Sequence, residues 1–233
     1  MIEGISFVIP AYNEEENIGQ VIADCRETAQ KISQHHEIII VDDGSMDGTT
    51  EKIRKMTRAD HDIVLIRHDK NMGVGAATRD GFASACYPYV FYMDGDGQFN
   101  VCEIEMMLPY CQDYDFVVGY REKRADPGHR RINAFLYNTL IKILFRLPVR
   151  DVNCAFKLIR RESLLRLAPS SKSAFYLAEI LLAARQQGMR IKEIAVSHYP
   201  RKCGRPTGAK PMVMAQAIKD CLIYRLRMKV RTP

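Results

Sequence analysis

The 233-residue sequence predicts a single-domain α/β protein built on a mostly parallel central sheet flanked by helices. Three observations point there. Short β-branched runs alternate with longer stretches of helical periodicity. Three of those runs end in segments rich in Asp, Asn and Gly, the composition expected where strand ends open onto a site. The length suits one large domain that buries roughly 70% of its unfolded surface, and no linker, repeat or low-complexity tract divides it.

In chain order, the expected strands are Ile5–Ile9, Glu37–Val41, Ile63–Arg67, Tyr89–Met93 and Phe116–Val118, each a short apolar run. Helical patterns fill the intervals at 14–33, 48–58, 74–86 and 101–111. Asn13 with Glu16, and Asn100 with Glu103, have the spacing of a capping box and mark the starts of the first and last of these. Beyond residue 120 a basic loop, 121–131, leads into a helix at 132–147 whose apolar residues recur on one face. A strand at Ala155–Ile159, a helix at 175–187, a strand at 190–196 and a basic helix at 211–228 complete the chain.

Charge divides this domain into two halves. The net charge of +6 is modest and does not call for a nucleic-acid partner. Residues 1–120 nevertheless carry 9 basic and 21 acidic side chains, whereas residues 121–233 carry 25 and 7. The second half is therefore expected to face something anionic. The seven cysteines form no C-x-x-C pair and read as reduced thiols of a cytoplasmic protein. No stretch is apolar enough to span a bilayer, and Met1-Ile2-Glu3 does not begin a signal peptide, so a soluble or peripheral protein is expected.

The chemistry should gather where strands end. The first strand runs into Pro10-Ala11-Tyr12-Asn13-Glu14, the second into Asp42-Asp43-Gly44-Ser45, and the fourth into Asp94-Gly95-Asp96-Gly97-Gln98. Asp94 and Asp96 can point the same way, with Gly95 allowing close backbone approach, and two convergent carboxylates suit a hard divalent cation shared with phosphate oxygens. D-G-D is equally the composition of a plain turn. Tyr12 could stack on a base, and Asp42 or Asp43 could accept from a base or ribose, although each segment also reads as a loop or cap. No P-loop is present, and Gly73-Val74-Gly75-Ala76-Ala77-Thr78 reads as close helix packing, not as a pyrophosphate cradle.

Taken in order, these segments resemble family 2 glycosyltransferases of the GT-A, Rossmann-related fold. The subgroup is that of dolichyl-phosphate mannose synthases and bacterial polyprenyl-phosphate glycosyltransferases. Further matches are Asn71 through Gly81, Gly119-Tyr120-Arg121, Asp151-Val152-Asn153-Cys154-Ala155-Phe156-Lys157 and His198-Tyr199-Pro200-Arg201-Lys202-x-Gly204. The resemblance implies a UDP- or GDP-sugar held by Pro10, Tyr12, Glu14, Asp42, Asp43, Asp94, Gly95, Asp96, Arg121 and Arg201. It further implies Mg²⁺ or Mn²⁺ at Asp94 and Asp96 with Gln98 nearby, an inverting displacement, and a polyprenyl-phosphate acceptor at the cytoplasmic membrane face. Residues 1–120 would then bind the donor, and residues 121–233 would face the acceptor and an anionic membrane. Many relatives carry transmembrane helices after the catalytic region that this sequence lacks, and Pro206-Thr207-Gly208 stands where Ser-Lys is usual.

A sugar hydroxyl acceptor needs a general base, whereas a phosphate monoester is already largely ionised near neutral pH. Asp151 is the candidate catalytic residue, with Glu179 a distant second. The apolar stripe at 132–147 suits a membrane interface, a core contact or a partner in a homo-oligomer. The rival functions are transfer to a sugar, protein or small-molecule hydroxyl, and a non-catalytic nucleotide-sugar or membrane-binding module. A nucleotidyltransferase is disfavoured because Pro10–Glu14 is not a Gly-rich basic loop.

Overall fold

The strands β1 (Ile2–Ala11), β2 (Ser33–Asp42), β3 (Ile63–Arg67), β4 (Tyr89–Met93), β5 (Phe116–Arg121), β6 (Phe156–Arg160) and β7 (Ile191–Val196) form one sheet. Their order is β3-β2-β1-β4-β6-β5-β7. The computed structural model describes residues 1–204 and 211–230, so Pro206, Thr207 and Gly208 lie outside the described residues. β6 runs antiparallel to both neighbours, and every other pairing is parallel. The carboxyl ends of six strands and the amino end of β6 therefore meet at one edge.

Helices cover both faces, which is why the central strands are apolar on both sides. Alternation along β1 and β2 sends Ile5, Phe7, Ile9, Ile38 and Ile40 to one face, and Val8, Ile39 and Val41 to the other. The first face is closed by α1 (Ile18–Ile32) and α2 (Thr49–Ala59). The second is closed by α3 (Val74–Ser84), α4 (Gly128–Phe145), α5 (Arg161–Leu165), α6 (Tyr176–Gln186) and α7 (Pro211–Val230). Close packing explains the glycines of the 73–78 segment: a Cβ on Gly75 would lie 2.5 Å from the Ser173 carbonyl oxygen. That space is filled by backbone.

Three expectations are corrected. Asn13 does not cap a helix; its φ is 55°, and it ties the β1 exit to the β2 exit by accepting from Met46 N–H and donating its own N–H to Ser45 Oγ. The first helix starts later, at Ile18. The segment 101–111 is two 3₁₀ helices, Val101–Met106 and Leu108–Tyr110, with Pro109 in the first turn of the second, where its missing N–H costs least. Asn100 does accept from Cys102 N–H at 3.2 Å, but Glu103 bonds Ser197 N–H at 2.7 Å instead of closing a capping box. The short α5 is a further element absent from the sequence reading.

Candidate active site

The shared strand edge places the acids and arginines in one concavity. At the β1 exit, Glu14 takes two bonds from Arg201 Nη2, at 2.7 and 2.6 Å, and one from Asn17. Burial still raises the Glu14 pKa despite these partners. A Cβ on Gly95 would lie 3.2 Å from the Pro10 carbonyl oxygen, a tight contact, so glycine suits the close approach of the β4 exit to β1. Tyr12 is half-buried beside them.

Asp42 and Asp43 are differently employed. Asp42 is wholly buried and accepts from Ser45 N–H and the Thr50 hydroxyl, which ties the β2 exit to the start of α2. Asp43 accepts from Met72 N–H and Gly73 N–H, each at 2.8 Å, and contacts His68 Nδ1 at 2.7 Å. It braces the loop that precedes α3.

The β4 exit carries the central pair. Tyr92 OH donates to Asp94 Oδ1 at 3.2 Å, and Gln98 N–H donates to Asp96 Oδ1 at 3.1 Å. Burial, reinforced by the Asp96 carboxylate, pushes the Asp94 carboxyl up to about 7, and burial raises Asp96 as well. Arg201 reaches Asp96 at only 3.5 Å. Two carboxylates forced together with this little cationic compensation form an all-oxygen donor set that fits Mg²⁺ or Mn²⁺. Among the described residues no three His, Cys, Asp or Glu side chains are grouped to hold a metal, so a cation on Asp94 and Asp96 would take its other oxygens from the Gln98 amide, water or a bound phosphate. Gln98 Nε2 donates to the Tyr199 carbonyl at 2.9 Å, which fixes the side chain and leaves its amide oxygen as an acceptor.

On the far side, Asp151 receives two bonds from Arg121, at 2.6 and 2.8 Å, with Arg124 at 3.8 Å. Although burial opposes it, the Arg121 guanidinium holds the Asp151 carboxyl down at about 2. A carboxylate so acidic and so fully engaged is a poor proton acceptor. Glu179 accepts from Ser170 N–H and Ser171 N–H, bracing a loop away from the strand edge.

Lys157 and Arg124 are site components to which the sequence assigned no role, and His198, at most a site-edge residue in the sequence, joins them. Lys157 is wholly buried and donates to the Cys154 carbonyl, its charge felt by Asp94 and Asp151. Its signal was a lone basic residue inside an apolar strand. Arg124 pairs with Asp126 at 2.9 Å. His198 is held down at about 4 by burial and by Arg121 and Arg124, and its Nδ1 accepts from Ala125 N–H.

Arg121, Arg124, Arg131 and Arg150 line a cavity of about 560 Å³ whose other wall includes Ile132 and Phe135. The basic half of the sequence thus converges on a pocket with an apolar lip.

Comparisons with known proteins fit this geometry. The chain is 30% identical over 206 residues to the undecaprenyl-phosphate 4-deoxy-4-formamido-L-arabinose transferase of Aeromonas hydrophila, covering 87% of this chain and 62% of that one. It is 31% identical over 209 residues to the dolichyl-phosphate beta-glucosyltransferase of Trichomonas vaginalis, covering 82% and 64%. The chain therefore spans less than two thirds of either relative. The glucosyl-3-phosphoglycerate synthase of Mycobacterium tuberculosis, solved with Mn²⁺, UDP and phosphoglyceric acid, superposes with a TM-score of 0.75 at 20% identity over 96% of this chain and 78% of that one. The shared architecture is the GT-A fold. Because residues 6–167 match Glycosyl transferase family 2, the chain belongs to that family and is a glycosyltransferase.

Proposed function

We propose that this enzyme moves a sugar, with inversion, from a UDP- or GDP-sugar to a polyprenyl phosphate at the cytoplasmic face of a membrane. The observation that carries the acceptor is the pocket of four arginines with an apolar lip, opening beside an Asp151 that is locked in an ion pair. Such a pocket suits a phosphate monoester bearing a hydrocarbon chain. A phosphate oxygen needs no base, and Asp151, the carboxylate paired with Arg121, is held too acidic to serve as one.

In this reading residues 1–120 hold the donor. Tyr12 stacks on the base, Asp43 and the backbone it braces meet the nucleoside, and Asp94 and Asp96 hold Mg²⁺ or Mn²⁺. The metal, when bound, neutralises charge developing on the departing nucleoside diphosphate. Arg201 sits between Glu14 and Asp96 and adds a second positive charge there. The acceptor phosphate oxygen bonds to the anomeric carbon as the bond from that carbon to the diphosphate oxygen breaks, and the diphosphate leaves with the electron pair. Arg121, held by Asp151, positions the incoming phosphate. The names of the relatives, which place a sugar on undecaprenyl or dolichyl phosphate, support the same acceptor class.

The test supplies labelled UDP- and GDP-sugars with undecaprenyl or dolichyl phosphate, alongside free sugars and peptides. Transfer to the lipid phosphates is expected. Transfer confined to the hydroxyl acceptors, with an absolute need for Asp151, would make Asp151 the base and overturn the reading.

A further inference from the structure

We infer that the outward faces of α4 and α7 together form the surface that seats this enzyme on an anionic lipid bilayer, with the arginine pocket opening at its edge. The biological use of that surface rests on the polyprenyl-phosphate reading above.

A surface helix ordinarily turns apolar residues inward and polar ones outward. α4 meets only half of that rule. Ile141 is buried, and Tyr137, Leu140, Leu144 and Phe145 pack on the core. On the opposite side Ile132, Phe135, Leu136 and Ile143 are 60%, 69%, 58% and 73% exposed. α7 repeats the pattern: Ala217 and Cys221 face the core, while Ile218, Leu222 and Leu226, spaced four residues apart, face outward with Met212 and Ile223 beside them. Both helices are thus apolar on two sides.

The two outer faces are continuous. Asn133 contacts Met214 Sδ at 3.5 Å near one end, and Phe145 packs on Tyr224 with ring centroids 5.9 Å apart near the other, so the helices lie side by side in the same direction. Nine of the fifteen large exposed apolar side chains among the described residues lie on this pair, which makes a patch and not a scatter.

Charge selects the occupant. Arg131, Lys142, Arg146, Lys219 and Arg227 are exposed around the patch. The one acid on either helix, Asp220, is turned to Ser171 Oγ and Ser173 Oγ at 3.0 and 2.7 Å. A rim of one sign would repel a second copy of itself and attract acidic headgroups, while the apolar centre enters the acyl boundary. No helix among the described residues is long and apolar enough to cross a membrane, so these two lie in the interface. Ile132 and Phe135 belong both to this face and to the lip of the arginine pocket, which brings a lipid phosphate to that pocket without leaving the headgroup layer.

The test is flotation of the whole protein with pure phosphatidylcholine vesicles and with phosphatidylcholine–phosphatidylglycerol vesicles. Binding to the anionic vesicles is expected, weakening as salt rises because screening acts over roughly 8 Å at physiological ionic strength. Ile143→Glu and Leu226→Glu, both at exposed positions outside the pocket, should each cut that binding roughly tenfold or more. Both should leave transfer to water-soluble geranyl phosphate unchanged, which excludes misfolding. Equal recovery with neutral and anionic vesicles, or undiminished binding by both variants, overturns the inference. So does a wild-type dimer, seen by sedimentation, that Leu226→Glu dissociates while no vesicle is bound. Vesicle binding without transfer to geranyl phosphate would instead overturn the acceptor reading and leave the docking surface standing.

Discussion

Arg201, in the loop after β7, places Nη2 between both carboxylate oxygens of Glu14 at the exit of β1, an ion pair that spans 187 residues of sequence. Both side chains are largely buried, at 13% and 11% exposure, so the pair fastens the last part of the described sheet edge to the first. Removing one partner strands the other's charge. Arg201→Ala should cost about 3 kcal/mol, roughly 6–12 °C in Tm for a chain of this size. The same substitution in a Glu14→Ala background should cost far less. Thermal unfolding of the four proteins measures the coupling, and additive effects would refute it.

Asp151→Asn should lower stability by about 2 kcal/mol, the value of moving a carboxyl from its ordinary 3.8 to about 2. The folded pKa is depressed, so this stabilisation is fully present above about pH 4 and is lost as pH falls through about 2. Turnover should fall through a misplaced Arg121. The pH–rate profile of the native enzyme should show no limb that Asp151→Asn removes.

The raised Asp94 has the opposite consequence. A metal ligand must be ionised, so Mn²⁺ affinity measured calorimetrically with UDP present should rise as pH climbs from about 6 through about 7, then level off. In metal-free protein the same shift makes stability decline over about pH 4–7, because the native state holds protons that the unfolded chain has released. Asp96→Asn should abolish most metal affinity while the fold survives. Affinity that is flat with pH, or full activity in EDTA, would be incompatible with this site.

Lys157→Met should expose the work of the buried ammonium. Its charge lowers the Asp94 pKa against the stronger pull of burial, so its loss should drive Asp94 higher still. Activity at neutral pH should fall, with partial recovery on raising the pH by about one unit, and the limb of the profile should move upward. Lys157→Arg should sit nearer the native enzyme. An unmoved limb would leave Lys157 a packing residue only.

Much of this was legible in the residues. The isoleucine and valine runs at Ile5–Ile9 and Glu37–Val41 could only be buried strands, and the acids that follow them fell at the strand edge because parallel strands share one exit side. The antiparallel direction of β6 was not legible, since direction is fixed by which strands flank it and not by its own composition. Asp42 and Asp94 illustrate the limit at the site. Each follows an apolar strand, yet one is consumed by Ser45 and Thr50 while the other stays poorly compensated, a difference set by partners distant in the fold. Pro109 did announce the break at 101–111, but the helical periodicity around it was stronger. The outer apolar face of α7 hid in plain composition, because only packing shows which of its two apolar sides the core has taken.

The most direct test of the account follows the acceptor phosphorus itself. With geranyl phosphate, Mn²⁺ and the nucleotide sugar that the enzyme consumes, ³¹P NMR should show the phosphomonoester resonance converting to a phosphodiester as free nucleoside diphosphate accumulates in equal amount. Release of nucleoside diphosphate with the monoester resonance intact, and the sugar recovered on a hydroxyl instead, would contradict it.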